Sequence, residues 1–238
     1  MHFTVVREHR EFFRNHHWIE CEAVLSSEEL KRISEGIPRV LKERTEAKVI
    51  QAGSSAYSKA IDKNGFEEGH DLWRGSGQLK KIILGSGLAG IAGELIEQRP
   101  LRIGYDTLFP AVSKNPGKNT YESFLKTHPA LHEMSCIQGV LCGAMVCVSS
   151  DGEITAQESS TTIFSKTLGN AVFFSPDWPL PLDEIYQNPG FTYLLIVYVK
   201  VNAVYLSKQG DPHLHHFKRL GYNFGDRLKE PFHPVVYC

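Results

Sequence analysis

The chain has 238 residues, 42% hydrophobic and 22% charged, with 26 Lys and Arg against 27 Asp and Glu for a net charge of −1. This composition excludes wholesale disorder, and the balanced charge excludes a global attraction to nucleic acid or anionic lipid. The longest apolar run, Phe191 to Val199, stops at Lys200 and falls well short of the ~20 residues a membrane-spanning helix needs. No basic segment followed by an apolar one opens the chain, and five cysteines without a tight pairing pattern favour a reducing compartment. A cytoplasmic protein with no nucleic-acid and no membrane partner is therefore expected, organised as one domain over residues 1–238.

The first elements read as helical. Glu11, Phe12 and Phe13 belong to an opening helix, followed by a strand-like stretch from Trp18 to Leu25. Ser26-Ser27-Glu28-Glu29 supplies an N-cap with acids in the first turn. Leu30, Ile33, Ile37, Val40 and Leu41 then form one apolar helical face, which Pro38 is expected to kink or divide. Gln51 to Gly69 is polar and reads as a long loop. Two apolar segments follow, Leu79 to Leu84 and Leu88 to Ile96, and Arg102 to Phe109 reads as a strand. Ser113 to Thr120 is a polar loop with a Pro116-Gly117 turn.

The second half changes character. Ile137 to Val148, Thr161 to Ser165, Ala171 to Phe174 and Tyr193 to Tyr205 are short and rich in Val, Ile, Tyr, Phe and Thr. Turns at Asp151-Gly152, Gly169-Asn170 and Pro189-Gly190 separate them, and no helical period intervenes. An antiparallel sandwich or jelly roll is expected, helices first and strands second. The apolar tail from Pro231 to Cys238 is expected to pack as an extended segment.

Gly85-Ser86-Gly87-Leu88-Ala89-Gly90 matches G-x-G-x-x-G, with Asp106 about twenty residues on, the spacing of a dinucleotide site. No crossover helices follow to build a parallel sheet, so the preferred reading is two short helices broken at Gly85-Ser86-Gly87. His213, His215 and His216, with His233 beyond, form the densest histidine group. Neutral imidazole is the commonest metal ligand, but Asp211-Pro212 and Gly221 frame the group as a surface turn leading to a short helix. The expectation is solvent-facing or capping histidines. Cys136, Cys142 and Cys147 are spaced unlike zinc loops and read as small buried hydrophobes. No G-x-S-x-G elbow, H-E-x-x-H motif or P-loop is present.

The order of segments resembles the phytanoyl-CoA dioxygenase family of the non-haem Fe(II)/2-oxoglutarate oxygenases across roughly residues 10 to 230. The resemblance is carried by Phe12 to Leu30, by Asp71-Leu72-Trp73-Arg74 before a helix pair, by the Arg102 to Phe109 strand, and by Gly169-Asn170-Ala171-Val172-Phe173-Phe174. It implies an α+β double-stranded β-helix, a jelly roll buttressed by N-terminal helices. It also implies a His-x-Asp/Glu pair soon after the Arg102 strand, a distal histidine after Phe174 and an arginine for the co-substrate carboxylate.

None of these motifs stands at its implied place. Only His9-Arg10-Glu11 has the His-x-Glu spacing, outside the barrel, and Ser175 to Leu180 contains no histidine. The reading is a member of that fold without a recognisable iron site and with no cofactor expected. It would be a non-catalytic or repurposed module binding a small molecule or a protein, with Tyr105, Ser135 and Gln138 as polar pocket residues. The alternative is an active Fe(II)/2-oxoglutarate-dependent hydroxylase with displaced ligands, for which His128, His132 and Glu133 are the candidates.

Overall fold

The computed structural model describes residues 3–52, 65–112, 120–150, 162–214 and 216–238. Helix α1 (Arg7–His16) leads into strand β1 (Trp18–Cys21). The strand is half the length expected, because Ala23 takes a φ of 49° and turns the chain. The Ala23 N–H then donates to Asn170 Oδ1 at 2.9 Å instead of extending a ladder.

Helix α2 (Ser27–Ala52) opens on reciprocal capping: Ser26 N donates to Glu29 Oε2 at 2.8 Å and Glu29 N to Ser26 Oγ at 3.3 Å. It runs through Pro38 without a break. Burial of Ile33, Ile37 and Val40 on both sides of the proline outweighs the one lost backbone bond. Gln51 and Ala52 belong to this helix, and residues 53–64 of the expected loop lie outside the described residues, as do residues 113–119 of the second one.

A 3-10 turn at Leu72–Arg74 precedes α3 (Gly77–Ile83) and α4 (Ser86–Leu95). The glycine fingerprint therefore joins two helices and follows no strand. A Cβ on Gly85 would stand 2.7 Å from the Lys81 carbonyl, so the glycine closes α3 tightly against the start of α4.

The strands are β2 (Leu101–Phe109), β3 (Ile137–Ser150), β4 (Ala171–Phe174), β5 (Phe191–Tyr205) and β6 (Val235–Tyr237). With β1 they form one six-stranded sheet in the order β1-β4-β3-β5-β2-β6. Every pairing is antiparallel, which removes the parallel unit a dinucleotide fold requires. Alternation divides the side chains between two cores. Cys142, Ala144 and Val146 pack with Ile33, Leu79 and Ile91 of the helices. Met145 and Cys147 face the other way, with Leu131, Phe164 and Phe174. The fold is α+β, an antiparallel sheet compatible with a jelly roll, with the helices from Arg7 to Leu95 packed on one face and short helices on the other. No helix among the described residues is long and apolar enough to cross a membrane.

Two expectations are corrected. Residues 162–165 are not a strand: Ile163 and Phe164 donate their N–H groups to Glu184 Oε2, at 2.8 and 3.1 Å, so a side chain replaces the ladder. The second half also carries short helices between its strands, α5 (Thr120–Leu125), α6 (Asp183–Gln187) and α7 (His216–Arg219). None is long enough to show a period in sequence. The tail does pack as an extended segment, with Tyr237 opposite Leu101.

Candidate metal centre

Strand β2 lays the preceding loop along its own backbone. Asp106 accepts Leu72 N at 2.8 Å and Trp73 N at 3.3 Å on its carboxylate, and Asp71 N at 2.8 Å on its carbonyl. His70 forms an isolated bridge to Thr107, and Leu108 N reaches the Gly69 carbonyl at 3.0 Å. Asp71 sits in the left-handed region, at φ 51° and ψ 49°, a conformation that Asp tolerates better than most residues. The result places two consecutive ligand-type side chains, both almost fully buried, in one neighbourhood.

The second half of the site comes from the segment after β5. Asp211 organises it, accepting Cys136 N and His213 N, both at 2.7 Å, on its two oxygens. His216 N then reaches the His213 carbonyl at 2.8 Å and begins α7. Phe217 anchors this one-turn helix. Its ring is stacked between Tyr205, at 5.2 Å and 10°, and His233, at 5.2 Å and 3°. His216 is thereby held with Nε2 at 2.9 Å from Asp71 Oδ2.

His70, Asp71 and His216 form a group whose ligand atoms all lie within 4.8 Å of one another. His70 Nδ1 stands 2.9 Å from Thr107 Oγ1, which leaves Nε2 enclosed and without a partner among the described residues. Asp71 Oδ2 accepts Arg74 Nε at 2.7 Å as well as His216, while Oδ1 is enclosed and unpaired. His213 stacks on His70 at 4.3 Å and 29°, and its Nε2 is likewise enclosed and unpaired. Buried polar atoms are ordinarily hydrogen-bonded, so three orphans in one cluster need a physical cause.

The electrostatics favour a cation here. Burial alone would raise the Asp71 carboxyl, but the His216 hydrogen bond, with His70 and Arg74 nearby, outweighs it and holds the group well below the ordinary carboxylate range. Burial, then His213, pushes His70 well below the usual imidazole value. Burial, then His216, pushes His213 down to about 3. Asp71 is thus anionic, and these two imidazoles are neutral and able to ligate. Behind them Asp106 is pushed upward, by burial and by the Asp71 charge.

Two imidazoles and one carboxylate are the donor set of non-haem Fe(II) centres. Ligands about 2.1 Å from one ion stand roughly 3–4 Å apart, so the group closes on a metal with side-chain shifts of under about 1 Å. The residues fit the group. The expectation of capping or solvent-facing histidines at 213–216 is corrected, because His213 and His216 turn inward to His70 and Asp71. His215 lies outside the described residues. His233 stays behind Phe217, with Nδ1 2.7 Å from the Gly104 carbonyl.

The residues proposed from sequence lie elsewhere, with one exception. Tyr105 is buried beside the cluster, its ring 5.3 Å from that of His70. Ser135 is buried and accepts Ile137 N at 3.2 Å, a local strand-end role. Gln138 is exposed on β3. His128 pairs with Asp183 at 3.4 Å, His132 with Asp177 at 3.0 Å, and Glu133 caps Ala130 N at 2.8 Å. These three do not form a ligand group among the described residues. The buried thiols Cys136, Cys142 and Cys147 are each pushed up to about 12, chiefly by burial, as expected of packing residues.

His70, His213 and His216 border a cleft of ≈ 140 Å³ whose rim carries Lys48, Glu67 and Arg219. That is small beside the roughly 300–1,000 Å³ of sites for drug-sized ligands. A larger cleft of ≈ 380 Å³ lies between the N-terminal segment and α4 and contains no histidine.

No protein-family model and no curated protein matches this sequence. The fold does match solved structures. The non-heme alpha ketoglutarate dependent carbocyclase SnoK from nogalamycin biosynthesis aligns with a TM-score of 0.66 over 98% of this chain and 97% of its own, at 15% identity. The epimerase SnoN in complex with Fe3+, alpha ketoglutarate and nogalamycin RO aligns at 0.59, over 96% and 97%, at 14% identity. CytC3 with Fe(II) and alpha-ketoglutarate aligns at 0.55, over 97% and 88%, at 17% identity. The chain therefore has the fold of non-haem iron, 2-oxoglutarate-dependent enzymes. The expectation of no cofactor is overturned by the His70, Asp71 and His216 group, found in a fold whose solved examples hold iron and 2-oxoglutarate.

Proposed function

We propose that this protein is an Fe(II)/2-oxoglutarate-dependent oxygenase whose iron ligands are displaced to His70, Asp71 and His216. We further assign it to the double-stranded β-helix architecture and to the neighbourhood of the phytanoyl-CoA dioxygenase family that its segment order resembles. One observation carries the reading: a two-histidine, one-carboxylate group with enclosed, unpaired ligand atoms at His70 and Asp71. When bound, Fe(II) with 2-oxoglutarate supplies oxygen-dependent oxidation.

The chain's own residues hold and orient. Thr107 fixes the His70 ring through Nδ1, and Arg74 fixes the Asp71 carboxylate through Oδ2, the outer contacts that set ligand geometry. Arg219 is exposed at the cleft rim and has no ion-pair partner among the described residues. Its guanidinium supplies the co-substrate carboxylate partner that the family resemblance implies beyond Phe174. The cleft volume favours a compact polar ligand over a large one.

Anaerobic titration of the metal-free protein with Fe(II) and 2-oxoglutarate tests the reading. A stoichiometric visible charge-transfer band requiring both components, and abolished by His216→Ala, supports it. Absence of metal binding overturns it and restores the binding-module reading, in which the histidines serve only to pack the loop.

A further inference from the structure

The loop carrying His70 and Asp71 is held from outside by one helix. Arg44 of α2 donates from Nη1 to the carbonyls of Glu68 and His70, both at 2.5 Å, and from Nη2 to the carbonyl of Asp71 at 2.7 Å. One turn further along, Lys48 Nζ reaches Glu68 Oε1 at 2.6 Å and Glu67 Oε2 at 3.3 Å. Three carbonyl oxygens within four residues thus converge on one guanidinium. Without a cation at the centre these partial negative charges repel, so Arg44 complements the hold that β2 has on the other backbone groups of the loop. Asp71, at positive φ, is the residue where the curl is tightest.

The bonds to Asp106 fix the N–H groups of Asp71, Leu72 and Trp73. Arg44 fixes the carbonyls of the ligand pair from helix α2. Its planar fork reaches three acceptors from two separate nitrogens, a spread that neither the point-like ammonium of lysine nor an amide reproduces. All three of these bonds go to backbone carbonyls, so they hold the loop by its backbone rather than by its side chains.

We infer that Arg44 is a positioning residue for the metal centre proposed above, and that helix α2 sets metal affinity through the convergence of the Glu68, His70 and Asp71 carbonyls on its guanidinium. The inference rests on the proposed metal reading. Arg44 donates to no ligand atom; its hydrogen bonds act through the loop backbone, while its charge is also felt by His70 and Asp71.

The test compares wild type, Arg44→Gln, Arg44→Lys and Lys48→Met, each titrated anaerobically with Fe(II) and separately with Co(II), whose visible absorption reports coordination geometry. Melting of each metal-free protein is recorded alongside, to separate loss of folding from loss of positioning. Arg44→Gln is expected to weaken metal binding by about 10–100-fold, as loss of an outer-shell partner does, and to alter the Co(II) spectrum. Arg44→Lys recovers part of the affinity, and Lys48→Met, which unpairs the buried Glu68 carboxylate without touching the carbonyls of the ligand pair, loses only about threefold. If Arg44→Gln fails to fold, Arg44→Lys and Lys48→Met carry the comparison. Variants with wild-type affinity and spectrum overturn this inference and leave the metal reading standing. A wild-type protein that binds neither metal overturns both.

Discussion

Asp71 Oδ2 and His216 Nε2 lie 2.9 Å apart, joining two residues separated by 145 positions. The contact closes the cluster, because it ties a loop laid on β2 to a one-turn helix after β5. It pairs Oδ2 alone and leaves Asp71 Oδ1 enclosed and unpaired.

Asp71→Asn removes the only carboxylate of the group. The amide no longer neutralises Arg74 and no longer serves as an anionic ligand. A loss of about 1–3 kcal/mol in the stability of the metal-free protein is expected, the cost of leaving a partly buried charged partner unmatched. Binding of Fe(II) should disappear in calorimetry. A melting temperature equal to that of the wild type would show that the buried pair contributes nothing.

Substitution of histidines separates the cluster from the surface residues. His70→Ala and His216→Ala should each abolish stoichiometric Co(II) absorption. His128→Ala and His132→Ala, whose rings pair with Asp183 and Asp177 at the surface, should leave it intact. The opposite pattern would move the metal centre to the loop before β3.

Acid should destabilise the metal-free protein early. Burial holds His70 well below the usual value, His213 at about 3 and His233 at about 4. The unfolded chain protonates these imidazoles near pH 6.5, whereas the folded chain does not until far lower. The unfolded state therefore binds more protons over this window, and stability falls as pH drops from about 6.5 towards 4. Asp106, pushed up by burial and by Asp71, works with the opposite sign and cancels one imidazole. The net slope is at most about 2–3 kcal/mol per pH unit. Urea unfolding at pH 7, 6 and 5 measures it, and a flat profile would place these rings in water.

The sheet offers a test independent of metal. A Cβ on Gly143 of β3 would stand 2.5 Å from the Phe174 ring and 3.0 Å from Leu131. Gly143→Ala should destabilise by about 1–3 kcal/mol through overpacking, seen as a lower urea midpoint with unchanged cooperativity. A neutral result would mean that the β3–β4 face is looser than its fully buried Phe173 and Phe174 indicate.

Much of the fold was legible because it rests on local patterns. The apolar face of α2, the strands from Arg102 and Tyr193, and the glycine junction before α4 all follow from periodicity and cap chemistry. The site was legible only in fragments. His213 and His216 form a dense group, yet their direction depends on Asp211, tied to the sequence-distant Cys136 N, and on Tyr205 and His233, which stack on Phe217. Asp71 opens the aromatic Asp71-Leu72-Trp73-Arg74 segment, and His70 stands just before it without the His-x-Asp spacing. A search for His-x-Asp cannot find adjacent ligands whose left-handed backbone turns both inward. One signal is available: two neighbouring residues of ligand type, flanked by Gly69 and Leu72 at the end of a polar stretch.

The place of β5 between β3 and β2 has a consequence for synthesis. Strand β2, buried along its whole length in the finished protein, leaves the ribosome about ninety residues before its partner Phe191–Tyr205. Through that interval its apolar side chains and open backbone groups are available to other chains. Nascent chains stalled before Phe191 should therefore depend on chaperones, whereas chains released after Tyr205 should not.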